Sequence, residues 1–142
     1  LRSLLDVNVL IALLDADHVS HEAATRWLAR HVGSGWASCP ITQNGCIRIM
    51  SHPRYASPVS PALVIERLAE ACAGAAHEFW PDDVTLLDPA TVDRSRLHGA
   101  AQTTDSYLLA LAVHHGGRLA TFDRGIAVSA VPGAGERNVV RL

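Results

Sequence analysis

The chain has 142 residues, about half of them apolar, and a formal net charge of −2, which suits one folded domain and argues against disorder. No apolar run approaches the ~20 residues of a bilayer span, and nothing resembles a signal peptide, so a cytoplasmic protein is expected. All twelve basic residues are arginine, and without lysine no P-loop, Schiff-base or Ser–Lys mechanism can operate.

Ser3 to Asp6 reads as a short buried strand that turns at Asp6-Val7-Asn8, and Val9 to Leu14 continues as a short apolar helix or turn. Ser20 offers an N-cap for a helix from His21 to about Val32, whose stripe of Ala24, Trp27, Leu28 and Val32 follows the helical period. Gly33 to Gly35 stops it, and Trp36 to Cys39 is the second strand. Pro40 and Thr42 open a helix through Ile47, Ile49 and Met50 that ends near Pro53. Ser60-Pro61 is a cap followed by proline at the first helical position, and Val64, Ile65, Leu68 and Cys72 supply that helix's core face. Val84 to Leu87 is expected as a third strand, with a polar helix around Thr91 to Leu97. Thr103 or Thr104 caps a strongly patterned helix from Asp105 to His114, stopped by Gly116-Gly117. Arg118 to Phe122 is a strand, Asp123-Arg124-Gly125 turns, and Val128 to Val131 and Asn138 to Val140 are expected to add strand at a sheet edge. Strands alternating with helices imply an α/β domain with a parallel sheet covered on both faces.

Cys39, Cys46 and Cys72 are odd in number and form no C-x-x-C pair, so free buried thiols are expected. His18-x-x-His21 lacks a third ligand and is discounted as a metal pair. His114-His115 is read as positive charge at a helix C-terminus, and His98 as a loop residue near Asp105. Trp27 and Trp36 read as packing residues, whereas Trp80, beside Pro81 and Asp82, is expected to be exposed. Between Glu22 and Glu66 no acid occurs, and that window carries Arg26, Arg30, Arg48 and Arg54, a candidate phosphate-binding face.

Ligands of an open parallel sheet bind beyond the C-terminal strand ends, and three aspartates fall there. Asp6 closes the first strand, Asp123 follows the Arg118 to Phe122 strand, and Asp105 opens the helix before it. Each has a structural reading too: Asp105 as a first-turn acid, Asp123 as a turn residue, Asp6 as an acid in need of a partner. Together they form a carboxylate set whose mutual repulsion a cation relieves, and oxygen ligands without His or Cys favour Mg²⁺ or Mn²⁺.

The opening Leu4-Leu5-Asp6-Val7-Asn8-Val9-Leu10-Ile11, the stretch Thr104 to Ala112 and the stretch Arg118 to Gly125, in this order and spacing, resemble PIN-domain proteins, particularly VapC toxins of bacterial toxin–antitoxin pairs. With Ile41 to Ser51 the similarity spans nearly all of residues 1–142. That resemblance implies a PIN domain with a five-stranded parallel sheet flanked by helices. It implies a Mg²⁺-dependent endoribonuclease that cuts structured RNA, tRNA or ribosomal, by metal-activated water attack. A VapB-type antitoxin is implied as partner, and homodimers are frequent in such toxins. Carried across, Asp6 and Asp105 are the principal metal ligands and Asp123 completes the cluster. Asn8 orients Asp6 or a water, and Thr121 is a supporting hydroxyl. One departure stands out: PIN nucleases commonly carry a glutamate in the helix after the second strand, and here Thr42-Gln43-Asn44-Gly45-Cys46-Ile47-Arg48 has no carboxylate. Gln43 or Asn44 is the substitute oxygen donor on this reading, and Arg48 and Arg54 are candidates for RNA phosphates or antitoxin carboxylates. The departure also motivates a rival, a weakly active or inactive PIN-like module that binds RNA or antitoxin. A phosphatase or phosphoacceptor with Asp6 as nucleophile is disfavoured, because such families set a lysine beside that aspartate.

Overall fold

The computed structural model describes residues 1–142. Five strands, β1 (Ser3–Leu5), β2 (Trp36–Ser38), β3 (His77–Phe79), β4 (Arg118–Thr121) and β5 (Val139–Arg141), form one sheet in the order β3-β2-β1-β4-β5. Every pairing is parallel. The crossovers carry α1 (Val7–Leu14), α2 (His21–His31), α3 (Pro40–Met50), α4 (Pro61–Cys72) and α5 (Gln102–His114).

Alternation along each strand sorts the core into two layers. Leu4, Ala37, Leu119 and Val139 pack with α5, whereas Leu5, Trp36 and Ala120 pack with residues of α1, α3 and α4. From Ser106 to Ala112 every residue of α5 is buried, so this helix is core rather than amphipathic cover. At the start of β4, a Cβ on Gly117 would lie 2.6 Å from both the Arg2 carbonyl and the Trp80 ring, so only glycine fits. Gly116 before it, at φ +69°, takes the left-handed conformation that ends α5.

The third strand is His77–Phe79, not Val84 to Leu87. It is an edge strand with Glu78 and Phe79 exposed, held by backbone pairing to β2, so it carries no apolar signal. Val84 and Leu86 pack against the α5 layer without pairing. Of the expected Thr91 to Leu97 helix only a 3₁₀ turn at Arg94–Arg96 exists, and Val128–Ala130 is likewise a 3₁₀ turn rather than strand. Trp80 is buried, 2 % exposed, with its indole N–H donating to Glu78; the ring fills the space that Gly117 leaves. The cysteines are free, with Cys39 and Cys46 buried and Cys72 half-buried. No helix is long and apolar enough to cross a membrane.

Candidate active site

The sheet order reverses direction between β1 and β4, the place where open α/β sheets leave a crevice beyond their C-terminal ends. Asp6 stands there as the N-cap of α1. Its Oδ1 accepts the Val7 N–H at 2.7 Å, and its Oδ2 accepts the Thr121 hydroxyl at 2.6 Å. Its own N–H donates to the Ala120 carbonyl, continuing the β1–β4 ladder by one rung. Asp6 is only 7 % exposed. Burial raises its carboxyl above the ordinary value, the two hydrogen bonds oppose the shift, and the charge of Asp123 adds to it.

Thr121, fully buried at the end of β4, also accepts the Asp123 N–H at 3.0 Å and the Asn8 amide at 3.4 Å. Asn8 Oδ1 in turn accepts the Phe122 N–H at 3.2 Å. Asn8 and Thr121 therefore stitch the first turn of α1 to the chain leaving β4. Asp123 Oδ1 closes the following turn by accepting the Gly125 N–H at 2.7 Å.

Asp105, in the first turn of α5, completes the rim. Its carboxyl is pushed up to about 6, first by burial, then by the neighbouring carboxyl of Asp123 and the charge of Asp6. All three pairs of acids thus feel one another, across a sequence span of 117 residues from Asp6 to Asp123. They do not close into a single set within 4.8 Å; the only three-residue set that does is Asp83, His114 and His115, elsewhere on the molecule. An all-carboxylate donor set in which Asp6 and Asp105 are pushed towards protonation fits a hard divalent cation. Mg²⁺ takes one or two protein carboxylates directly and keeps several waters, so a looser third acid suits it. The acids line none of four surface clefts.

The α3 segment brings no carboxylate to this rim. Gln43 donates through Nε2 to Ser38 Oγ at 2.9 Å, and that hydroxyl also bonds His77. Asn44 is exposed and shares a shallow groove between α3 and α4 with Gln43, Ile47, Ile65, Leu68 and Cys72. Neither amide hydrogen-bonds an aspartate of the rim. Gly45 faces Val7, and a Cβ there would lie 2.7 Å from the valine methyl. Arg48 and Arg54 are exposed and make no ion pair within the chain. His98 is exposed, and its backbone N–H is capped by Gln102. His18 and His21 are committed to local backbone, Nδ1 of His18 accepting the Ser20 N–H and His21 Nδ1 bonding the Ala12 carbonyl.

Comparison with known proteins places this architecture in context. The family described as PIN domain matches residues 3–131. Ribonuclease VapC44 of Mycobacterium tuberculosis (strain ATCC 25618 / H37Rv) is 56 % identical over 142 residues, which is all of both chains. Ribonuclease VapC39 of the same strain is 47 % identical over 135 residues, covering 94 % of this chain and 96 % of the relative. Ribonuclease VapC29 is 41 % identical over 124 residues, covering 87 % of each.

Proposed function

The chain belongs to the PIN-domain family, with ribonucleases of the VapC kind as full-length relatives, and from that membership we infer that it is an endoribonuclease and the toxin of a toxin–antitoxin pair. Asp6 and Asp105 hold a divalent cation, Mg²⁺ on this reading, and Asp123 acts through water; the convergence of the three acids beyond the ends of β1 and β4, where Thr121 bonds both Asp6 and Asp123 and burial with the neighbouring acids raises Asp6 and Asp105, is the observation that carries it. When bound, such a cation neutralises the phosphodiester and lowers the barrier to hydrolysis by water. The chain's own groups do the rest. The Val7 N–H and the Thr121 hydroxyl fix the Asp6 carboxylate in one orientation. Asp105 supplies the second carboxylate for the cation, whose charge relieves the burial and the repulsion from Asp6 and Asp123 that push its carboxyl up. Asn8 keeps the two strand ends at a constant separation.

The substrate is structured RNA, tRNA or ribosomal, and Arg48 and Arg54, unpaired and exposed, meet its phosphates or the carboxylates of a VapB-type antitoxin. The functional domain takes in residues 1–142, because β5 lies beyond the matched segment and completes the sheet. The protein works in the cytoplasm beside its RNA.

Cleavage of a tRNA and ribosomal RNA panel by the purified chain tests the reading. Cutting is expected with Mg²⁺ or Mn²⁺, none in EDTA, and a loss of at least about 100-fold in Asp6→Asn. Undiminished cutting by that variant would remove Asp6 from the site. RNA binding without cleavage in either metal would favour the inactive binding module instead.

A further inference from the structure

About 15 Å along α5 from Asp105, the far end of the same helix carries a second group of ligand-bearing side chains. His115 Nε2 lies 2.9 Å from Asp83 Oδ1 and His114 Nε2 lies 3.5 Å from Asp83 Oδ2. The two imidazoles meet edge to face, 5.1 Å between centroids at 89°. One ligand atom from each of the three residues falls within 4.8 Å of the others. We propose that Asp83, His114 and His115 form a second cation site, distinct from the aspartate rim, that takes a transition-metal ion of the Zn²⁺ class.

The donor chemistry separates this site from the rim. Two imidazole nitrogens and one carboxylate suit a borderline ion such as Zn²⁺, Co²⁺ or Ni²⁺, whereas Mg²⁺ prefers oxygen alone. Metal–nitrogen bonds of ~2.0 Å at tetrahedral angles put donor atoms roughly 3.3 Å apart. The cluster needs to contract only modestly, and both rings already present the same nitrogen to one carboxylate. A fourth coordination position remains for water or an external ligand.

The surroundings hold the donors in place and leave a path to them. Trp80, buried beneath Gly117, stacks on His115 at 4.7 Å and 10°. His115 closes α5 by donating its N–H to the Leu111 carbonyl, and Gly116-Gly117 fix the exit. His114 and Asp83 remain partly exposed. They open onto a cleft of about 540 Å³ that also carries Asp82, Asp88, Thr85 and Thr91 and no arginine. An acid-lined cleft of this kind concentrates cations at its mouth. A plain ion pair between His and Asp at a helix C-terminus explains one histidine on one oxygen. It does not call for two adjacent imidazoles on the two oxygens of a single carboxylate, with one ring clamped by tryptophan.

The test is calorimetric titration of the EDTA-stripped, dialysed full chain with ZnCl₂ in excess Mg²⁺, which occupies the rim. Saturation at one Zn²⁺ per chain is expected. Co²⁺ in its place should give visible d–d bands of a nitrogen-ligated, four- or five-coordinate ion. His114→Ala and Asp83→Asn should each weaken Zn²⁺ binding about tenfold or more, while Asp6→Asn leaves it unchanged. His114 is half exposed, so His114→Ala should keep the wild-type circular dichroism spectrum. Absence of Zn²⁺ binding, full affinity in both His114→Ala and Asp83→Asn, or loss of binding in Asp6→Asn would each overturn the proposal.

Discussion

The Thr121 hydroxyl donates to Asp6 Oδ2 and accepts from the Asp123 N–H and the Asn8 amide, so one fully buried oxygen serves two of the three rim acids. A buried carboxylate that loses a donor is costly, about 1–3 kcal/mol. Thr121→Val keeps the shape and the β-branch but removes that O–H. It should lower stability by about 2 kcal/mol and depress RNA cleavage, and Thr121→Ser should recover most of both. Urea denaturation and initial cleavage rates read the two effects. Equal stability of Thr121→Val and wild type would mean that the hydrogen bond to Asp6 contributes nothing. The same logic explains why Asp6 could be picked out from the chain alone: an acid that ends an apolar strand must have partners, although their identity was hidden.

At the scale of elements, α1 and α3 meet where Gly45 lies against Val7. Val7 is the residue whose N–H holds Asp6, so the closeness of these helices bears on the rim. Gly45→Ala forces the added methyl against a stiff β-branched neighbour. Overpacking costs about 1–3 kcal/mol and better helix propensity returns up to about 1 kcal/mol, for a net loss of about 1 kcal/mol. In a Val7→Ala background the clash disappears, and the same substitution should stabilise. Paired urea midpoints give the sign; a loss of equal size in both backgrounds would rule out the Val7 contact as its cause. The helices themselves were legible because Ser60-Pro61 and the apolar period of α4 are local signals. The strand His77–Phe79 was not, because an edge strand with exposed side chains is defined by its pairing to β2 rather than by its own residues.

For the whole molecule, the rim gathers acids from both ends of the chain at a cost in stability. In the folded chain the Asp105 carboxyl rises from 3.8 to about 6. Between those values the folded state binds more protons than the unfolded state, so this group makes stability fall as pH rises through the window. Asp105→Asn removes that decline. In EDTA the variant should therefore melt a few degrees above wild type at about pH 7, with the difference vanishing near pH 4. Saturating Mg²⁺ should restore the wild type by mass action and reverse the order. A melting difference independent of pH would show that the Asp105 carboxyl, raised by burial and the neighbouring acids, is not its source.

The residue pattern by itself determined the alternation of strand and helix, the parallel sheet, and the three aspartates at strand and helix ends, since period, caps and stop signals act over a few neighbours. The resemblance to PIN nucleases suggested Gln43 or Asn44 as substitute for a missing glutamate, and in the folded chain Gln43 goes to Ser38 and Asn44 to an exposed groove. Trp80 looked exposed beside Pro81-Asp82 and is buried because Gly117, far along the chain, leaves room for its ring. Asp83 meets His114 and His115 for the same reason. Local sequence sets each residue's preferences, but close approach between distant segments depends on the space their neighbours leave, and that exists only once the layers have packed.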